Sequence, residues 1–502
     1  MRKTKKLCQF ILTFLVVFVL YSSYTLVVKA SYNYDGDGTS VQSPESLVAT
    51  NVIDVSNLKN EAGEIVANLE NGYTLGELVD VDTFDHLIYL VDSSNHKIVV
   101  LNEKMEMIAL FPNDEETTLN KPKGIYVTSN YIYVCDYGNE RVAIFDHTYK
   151  LVQEVFAPED TAFKDYKFRP KKITVNRTGR MYVIAEGINE GIIDFNPDGT
   201  FSRYYGMNSI NISGWAAFWR LFTSEKQREI QGFNFGKSLI NLCIDEDEYV
   251  YTVSAFDPSS NDDVIKRLNY KGTDILTRNG YVPQIGDVEF IKSGDKTVTV
   301  PTGNSNFVDI DVNDIGTYIA IDQVRGRIFS YDFEGNLLYV AGELSTATQG
   351  ITNTQKTKFL KPEALCYFGD QILVVDSLNR NMIVFEFTTF GKLVNQATRL
   401  YYNDAYLEAA DIWQQVLDLN SNYYLGYSGI GKAQLREGKY KEAMANLKLG
   451  NDKYNYSRAW EQYRYERMSK IFPYIIGIAL VLGVGMLGYS IYKNTKNSAK
   501  EE

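Results

Sequence analysis

Cysteine, histidine and positive charge are all scarce in this sequence. Four cysteines in 502 residues are too few for a small fold stapled by disulfides. Three histidines leave little room for a histidine-rich metal site. Lys and Arg number 51 against 63 Asp and Glu, and the resulting net charge of −12 disfavours non-specific binding to nucleic acid. The chain is 45% hydrophobic, so it can bury a core, and its length suits two or three domains.

The first 30 residues have the order of a secretory signal. Basic residues precede an apolar stretch at 7–28, and Val28-Lys29-Ala30 offers a small-residue cleavage site before Ser31. The apolar stretch is long, so a cleaved signal peptide and an uncleaved signal anchor are both open interpretations. In each case the following residues are predicted to leave the cytoplasm.

A second apolar run, 471–492, carries no charge and is long enough for a transmembrane helix. Basic residues flank it on both sides in similar numbers, so the N-terminal signal decides the orientation. We therefore predict a cell-membrane protein with a single C-terminal span. Most of the chain would be extracytoplasmic, with a cytoplasmic tail at 493–502. A buried core helix is the alternative interpretation of this run.

The segment 73–394 repeats a pattern of three short strands six times. The second strands end at intervals of 44, 49, 69, 68 and 54 residues, on Asp92, Asp136, Ala185, Ser254, Asp322 and Asp376. Repeats of about 40–50 residues built from short strands indicate a β-propeller. We predict a mainly β fold, a six-bladed propeller followed by a small α-helical array and a transmembrane helix. Part of the N-terminal segment 31–72 is a candidate strand for closing the ring.

Three of the predicted turns carry a shared motif. They are Asp92-Ser93-Ser94-Asn95-His96, Asp136-Tyr137-Gly138-Asn139-Glu140-Arg141 and Asp376-Ser377-Leu378-Asn379-Arg380. On these residues the segment 73–394 resembles the NHL-repeat family, whose turns read Asp-x-x-Asn-[His/Arg]. The resemblance implies a rigid scaffold for binding protein, nucleic acid or glycan, and a minority of that family are metal-dependent hydrolases or lyases. A short carboxylate after a strand also accepts turn N–H groups, which explains the repeated Asp structurally.

Aligning the repeats places the starts of the inner strands around one central mouth. Repeats two and three put five basic residues near one rim, namely Lys121, Lys123, Arg169, Lys171 and Lys172. Glu77 and Glu363 lie around the rest of the rim. In an acidic chain this basic sector is a candidate site for an anionic ligand, such as a uronic acid or phosphate polymer. Ordinary solvated strand ends are the alternative.

A rival interpretation makes the propeller a lactonase-like or lyase-like enzyme with a metal at the mouth. Asp80, Asn241, Asp309 and Glu363 would then be the oxygen ligands. The sequence determines no catalytic activity, and we favour a binding protein over an enzyme. We predict no catalytic residue and no cofactor, and we assign a metal only under the rival interpretation.

Two insertions, 207–235 and 278–305, lengthen the propeller repeat. The first has aromatic residues at helical spacing, including Trp215 and Trp219, and is predicted to be an amphipathic helix. It is a candidate for docking a partner, covering the mouth or resting on a bilayer, and packing on the propeller side is the alternative. The second insertion is richer in Gly and polar residues and is predicted to be a hairpin or long loop.

After residue 394 the hydrophobic pattern changes from period two to helical. Residues 404–410 match residues 438–444 at an offset of 34 residues. On these residues the segment 396–465 resembles two tetratricopeptide repeats, which implies protein–protein binding. Candidate docking residues are Tyr406, Trp413 and Tyr440, and a rigid stalk is the alternative. The combined resemblance implies an accessory scaffold beside a surface or transport complex, with carbohydrate as a candidate ligand or cargo.

Overall fold

The computed structural model describes residues 31–35, 38–113, 117–159, 167–188, 191–206, 238–255, 263–287, 304–345 and 357–498. The predicted signal at 1–30 lies outside these residues. The first insertion, with Trp215 and Trp219, lies outside them too, and so does most of the second.

Six sheets form the ring, and from the inner strand outward their strands pair antiparallel, except that β4 pairs parallel with β8 at the outer edge of blade 1. A hairpin of β1 (Tyr32–Tyr34) and β2 (Ser40–Gln42), then β3 (Leu47–Ile53) and β4 (Lys59–Asn60), precede the first inner strand. The strands of blades 1, 2 and 3 are β5 (Leu78–Phe84), β6 (Leu87–Asp92), β7 (Lys97–Leu101), β8 (Glu106–Phe111); β9 (Gly124–Val127), β10 (Ile132–Asp136), β11 (Arg141–Phe145), β12 (Leu151–Val155); β13 (Pro170–Val175), β14 (Met181–Ala185), β15 (Ile192–Phe195) and β16 (Phe201–Tyr205).

The strands of blades 4, 5 and 6 are β17 (Leu239–Ile244), β18 (Val250–Ser254), β19 (Ile265–Leu268); β20 (Phe307–Val312), β21 (Tyr318–Asp322), β22 (Arg327–Tyr331), β23 (Leu337–Ala341); β24 (Pro362–Phe368), β25 (Gln371–Asp376) and β26 (Asn381–Phe387). The inner strands of neighbouring blades pack against one another, and β24 of blade 6 returns to β5 of blade 1. The fold class predicted from the repeat spacing, a mainly β six-bladed propeller, is confirmed.

The ring is closed by a strand from the other end of the sequence. The N-terminal strand β3 pairs antiparallel with β26 and becomes the outermost strand of blade 6. Its register runs from Leu47 opposite Phe387 to Ile53 opposite Met382. Because the first and last parts of the ring share one sheet, neither can leave without breaking blade 6.

The Asp that ends the second strand in blades 1, 2, 5 and 6 acts as a buried clamp. Asp92, Asp136, Asp322 and Asp376 are fully buried. The Asp376 carboxylate accepts backbone N–H groups from Leu360 at 2.6 Å and Lys361 at 3.0 Å, just before the inner strand of its own blade. The carboxylate therefore fixes the entry to the inner strand, a structural role of the kind that turn-forming Asp residues have.

In the described residues, five helices follow the ring. They are α1 (Thr389–Tyr402), α2 (Tyr406–Leu419), α3 (Tyr424–Arg436), α4 (Tyr440–Leu449) and α5 (Lys453–Ser498). The propeller ends at Phe387 and the helices begin at Thr389, whereas the change of hydrophobic period predicts this boundary at 394–396. The reason is Thr388, whose hydroxyl oxygen accepts the Gly391 N–H and caps α1 directly after the last strand.

The propeller and the first three helices share one hydrophobic core. Side chains of blades 5 and 6, such as Tyr339 and Phe385, belong to the same buried cluster as Phe390, Trp413 and Tyr423. Helix α5 packs on α4 at its start and continues without interruption to Ser498. Its second half is long and apolar enough to cross a membrane.

Candidate functional site

A lysine spans the centre of the propeller. Lys172 lies on β13 of blade 3, and its Nζ is 2.5 Å from Oδ1 of Asp80 on β5 of blade 1. These blades are not neighbours, so the bond crosses the central channel. Burial disfavours the Lys172 ammonium, but the carboxylates of Asp80 and Asp309 outweigh this effect and raise the pKa of Lys172. Lys172 is therefore a fixed positive charge in the channel.

Four channel carboxylates come from an Asp-x-Asp pattern in blades 1 and 5, and each accepts a backbone N–H of the following blade. The four bonds are Ile125 N–H to Asp80 at 2.8 Å, Val127 N–H to Asp82 at 2.6 Å, Leu365 N–H to Asp309 at 2.6 Å and Tyr367 N–H to Asp311 at 2.8 Å. These side chains join inner strands of adjacent blades where strand pairing does not reach. The pattern thus has a structural function in holding the ring together.

Burial also changes the proton affinity of these carboxyl groups. It raises the pKa of Asp82 and of Asp309 to about 8 and that of Asp311 to about 6, against the opposing effect of their hydrogen bonds. For Asp309, Lys172 is the largest opposing influence. Burial therefore opposes ionisation of these carboxyl groups, and the hydrogen bonds and Lys172 act against that effect.

Three of the four residues assigned to a metal under the rival interpretation come together in this channel. The Asn241 side chain donates to Oδ1 of Asp309, and Asp80 faces both Asp309 and Lys172. Glu363 lies nearer the mouth and is 2.6 Å from a neighbouring lysine. Across the described ranges, no three His, Cys, Asp or Glu side chains form a group that could hold a metal ion. The Lys172 ammonium already places a positive charge beside Asp80 and Asp309, two of the ligands assigned to the metal.

The mouth is less basic in blade 3 than its sequence indicates. Lys171 Nζ is 2.8 Å and Arg169 Nη1 is 3.7 Å from the carboxylate of Glu186, a residue that follows β14. The Tyr137 hydroxyl donates to the same carboxylate at 3.1 Å, and the Arg169 guanidinium lies over the Tyr137 ring. Glu186 therefore neutralises part of the basic sector.

The five basic residues also do not share one rim. A bulge between Pro170 and Lys172 lets Lys171 stay at the mouth while Lys172 reaches down the channel. Lys121 is exposed and its backbone N–H donates to His96, and Lys123 is half-buried. Of the predicted mouth set, Lys172 is thus corrected to a channel residue. Glu77, in the neighbouring blade 1, accepts the backbone N–H of Ser93 through its carbonyl oxygen.

A cavity of about 930 Å³ lies between blade 5 and the concave side of the helices. We call it the array cavity. Six tyrosines line it, namely Tyr281, Tyr401, Tyr406, Tyr424, Tyr440 and Tyr454. Two of the predicted docking residues, Tyr406 and Tyr440, lie here. The third, Trp413, is only 5% exposed and stacks on Tyr423 in the shared core, so it supports the helices from within.

Charged side chains join the propeller wall of the array cavity to its helical wall. Lys432 Nζ on α3 is 3.1 Å from Glu334, in the turn between β22 and β23, and 3.1 Å from the Tyr401 hydroxyl. Burial disfavours the ammonium, but Glu334 and Tyr401 outweigh it and raise the pKa of Lys432. Opposite, Asp452 accepts the Ser428 hydroxyl at 2.9 Å and the Asn455 amide at 2.8 Å. Both carboxylates of the cavity are thus engaged internally.

Sequence reasoning missed the basic residues of this cavity. Lys432 and Arg436 are four residues apart on α3, so the period of that helix places them on one face. That spacing was a usable signal. Glu334 and Tyr281 come from the propeller, at least 90 residues away in sequence from α3, and no local pattern connects them to it.

No family model matches the chain, and no curated protein matches it. Among solved structures the chain is similar to a streptogramin B lyase, at 12% identity and TM-score 0.39 over 64% of this chain and 96% of that one. It is also similar to virginiamycin B lyase from Staphylococcus aureus, at 10% identity and TM-score 0.38 over 69% and 100%. A gluconolactonase from Xanthomonas campestris gives 10% identity and TM-score 0.39 over 69% and 99%.

Proposed function

We propose that this chain is a membrane-anchored binding and scaffold protein that holds a six-bladed propeller on the extracytoplasmic side. The hydrophobic core shared by blades 5 and 6 with α1, α2 and α3 carries the proposal. Because α5 packs on α4 and runs without a break into its apolar half, the orientation of the propeller follows that of the membrane helix. Such a rigid connection suits a protein that presents a surface at a fixed height and angle.

The propeller face and the helical array are the two surfaces available to partners. The NHL-like turns and the 34-residue helical repeat support a role in protein or glycan binding rather than in catalysis. The role that fits both surfaces is that of an accessory subunit in a surface or transport complex, with carbohydrate as a candidate ligand. The engagement of the channel carboxylates by Lys172 and backbone N–H groups also favours binding over metal-dependent chemistry.

A protease site inserted after Met468, in the exposed part of α5, tests the anchor and the orientation together. Protease added to intact cells should cut the chain at this site, which separates the propeller from the apolar half of α5 and, where the signal at 1–30 is cleaved, releases the propeller into the medium. Chemical cross-linking of native membranes before solubilisation should recover the propeller with another membrane protein. Protection of the propeller in intact cells, or recovery of the chain from the soluble fraction before cleavage, would contradict the proposal.

A further inference from the structure

A second cleft, of about 350 Å³, lies where α1 meets the ends of blades 5 and 6. We call it the side cleft. Its walls are α1, the turn between β20 and β21 and the turn between β24 and β25. Inner strands begin at the mouth and end at these turns, so the side cleft lies away from the mouth. None of the described residues that line it also lines the array cavity. Its volume lies within the range of small-molecule sites.

The α1 wall of the side cleft is a single polar face of that helix. Positions three and four apart share a face, and the lining residues at that spacing are Lys392, Asn395, Gln396 and Arg399. The facing turns contribute the polar residues Asn313, Asp314 and Asp370. Two cations and two carboxylates cancel, so the side cleft carries no net charge. It therefore has no electrostatic preference for a polyanion or a polycation.

Internal hydrogen bonds hold several of these side chains in fixed orientations. The Arg399 guanidinium joins α1 to blade 5 through two bonds to the Asp314 carboxylate, at 2.5 and 2.7 Å. The Asn395 side-chain oxygen accepts the Tyr339 hydroxyl at 3.1 Å, and the Asn313 side-chain oxygen accepts the Thr317 N–H at 3.0 Å. In the described part of the chain the NH₂ groups of both amides remain free, as two donors whose positions are set in advance.

The remaining lining groups add an acceptor and an apolar surface. Across the described ranges, the side chains of Lys392, Gln396 and Asp370 form no hydrogen bond or ion pair. The ring of Tyr367 is half-buried in the same cleft. A pyranose ring has hydroxyl groups around its edge, each a donor and an acceptor, and C–H groups on its faces. Water also solvates exposed polar groups, so the fixed positions of the two amides, rather than their polarity, favour such a ligand.

We infer that the side cleft binds a neutral sugar unit of a glycan, whose hydroxyls accept from the amides of Asn313 and Asn395 and donate to Asp370. The convergence of two oriented amides from α1 and blade 5, in a cleft without net charge, carries the inference. It rests on the proposed function, because it gives the candidate carbohydrate ligand a site and a charge class. A uronic acid polymer is not expected here, since the side cleft has no excess of cations.

The test measures binding of four neutral oligosaccharides, cellohexaose, maltoheptaose, mannohexaose and chitohexaose, to the full chain by isothermal titration calorimetry. The detergent must lack a sugar headgroup, because an alkyl maltoside would compete. At least one oligosaccharide should bind, and the double variant N395D/Q396A should weaken it by about tenfold, the size expected for two lost hydrogen bonds. Asp at position 395 keeps an oxygen for the Tyr339 hydroxyl and removes only the amide donor.

The control variant N422D/Q415A makes the same chemical changes at exposed positions outside the side cleft. It should change binding less than about twofold, and both double variants should unfold at the wild-type temperature. If N395D/Q396A does not fold, D370A in the exposed turn of blade 6 takes its place, with an expected weakening of about threefold.

Three results would overturn the inference. Absence of binding by all four neutral oligosaccharides would show that the side cleft takes no such ligand. Equal weakening by the cleft variant and its control would show that binding occurs elsewhere. Binding of oligogalacturonate alone would show a preference for an anionic glycan. In each case cleavage by external protease and cross-linking to a membrane protein would still test the anchored scaffold separately.

Discussion

Single buried charges decide much of the chemistry of this propeller. Lys172 stands among the channel carboxylates of blades 1 and 5, and its ammonium is the cation that offsets them. A buried ion pair contributes little net stability when both partners are present, but removal of one partner leaves an uncompensated charge. Removal of Lys172 should therefore lower the stability by more than the intact ion pair contributes to it.

Lys172→Met should lower the free energy of unfolding by about 3 kcal/mol, because Asp80 keeps its burial and loses its cation. Urea unfolding of the full chain in detergent, followed by tryptophan fluorescence, measures this change. Adding Asp80→Asn to Lys172→Met should recover part of the loss, and Lys123→Met at the mouth is the control with an effect below about 0.5 kcal/mol. A Lys172→Met variant as stable as the wild type would refute the role of the ammonium.

Asp332 gives the propeller a pH-dependent contribution to stability. Burial raises the pKa of Asp332 to about 6 despite hydrogen bonds from Asn336. The folded-state pKa lies above the ordinary value of about 3.9, so protonated Asp332 adds stability below about pH 4 that is lost as the pH rises through about 6. An asparagine side chain does not titrate. The free energy of unfolding of the Asp332→Asn variant, relative to that of the wild type, should therefore rise by about 2 kcal/mol as the pH rises from about 4 to about 6.

Thermal unfolding at pH values from 4 to 8, about one unit apart, measures this difference curve. Asp198→Asn is the control of opposite sign. A side-chain hydrogen bond from Thr200 lowers the pKa of Asp198, so the wild type should lose its small contribution as the pH falls. A flat difference curve for Asp332→Asn would show that burial does not control its titration.

Among the secondary-structure elements, strands proved easier to interpret from sequence than helices. The repeat spacing predicted six blades because each second strand ends in a clamp residue or its replacement, and these positions are local in sequence. Docking surfaces were harder to predict from sequence, because the same spacing of aromatic residues occurs on buried and on exposed helix faces. Trp413 was predicted at the surface and lies in the core, whereas Tyr406 and Tyr440, at the equivalent helix starts, line the cavity. Only the packing of α1 to α3 on blade 5 distinguishes them.

Trp413→Ala should therefore destabilise the helical array by about 3–5 kcal/mol, the usual cost of a cavity left by a buried aromatic side chain. Trp460→Ala is the matched control, since Trp460 is 49% exposed on α5 and should change stability by less than about 1 kcal/mol. Far-ultraviolet circular dichroism during thermal unfolding compares the two. Similar effects would contradict the core assignment of Trp413.

For the molecule as a whole, the connection between propeller and helices is the feature that sequence patterns could not supply. The change of hydrophobic period predicts a boundary between them at 394–396 and does not show how they pack. The structure joins them at Thr388 and Gly391, where β3 from the N-terminus, β26 and α1 meet. The channel cluster and the array cavity share this origin, because both bring together residues from distant repeats. Local periodicity predicts elements well, but contacts between them depend on closure of the ring.

Gly391→Ala tests whether this connection is rigid. Alanine favours a helix over glycine by about 1 kcal/mol, so α1 alone would gain stability. A Cβ at this position would, however, overlap the carbonyl oxygen of Ser46, which also accepts the Thr388 N–H. The clash with fixed backbone should dominate and give a net loss of about 1–3 kcal/mol. Hydrogen exchange should increase in α1 and β3 while blades 2 and 3 stay protected; a stabilised variant with unchanged exchange would mean that the helices sit loosely on the ring.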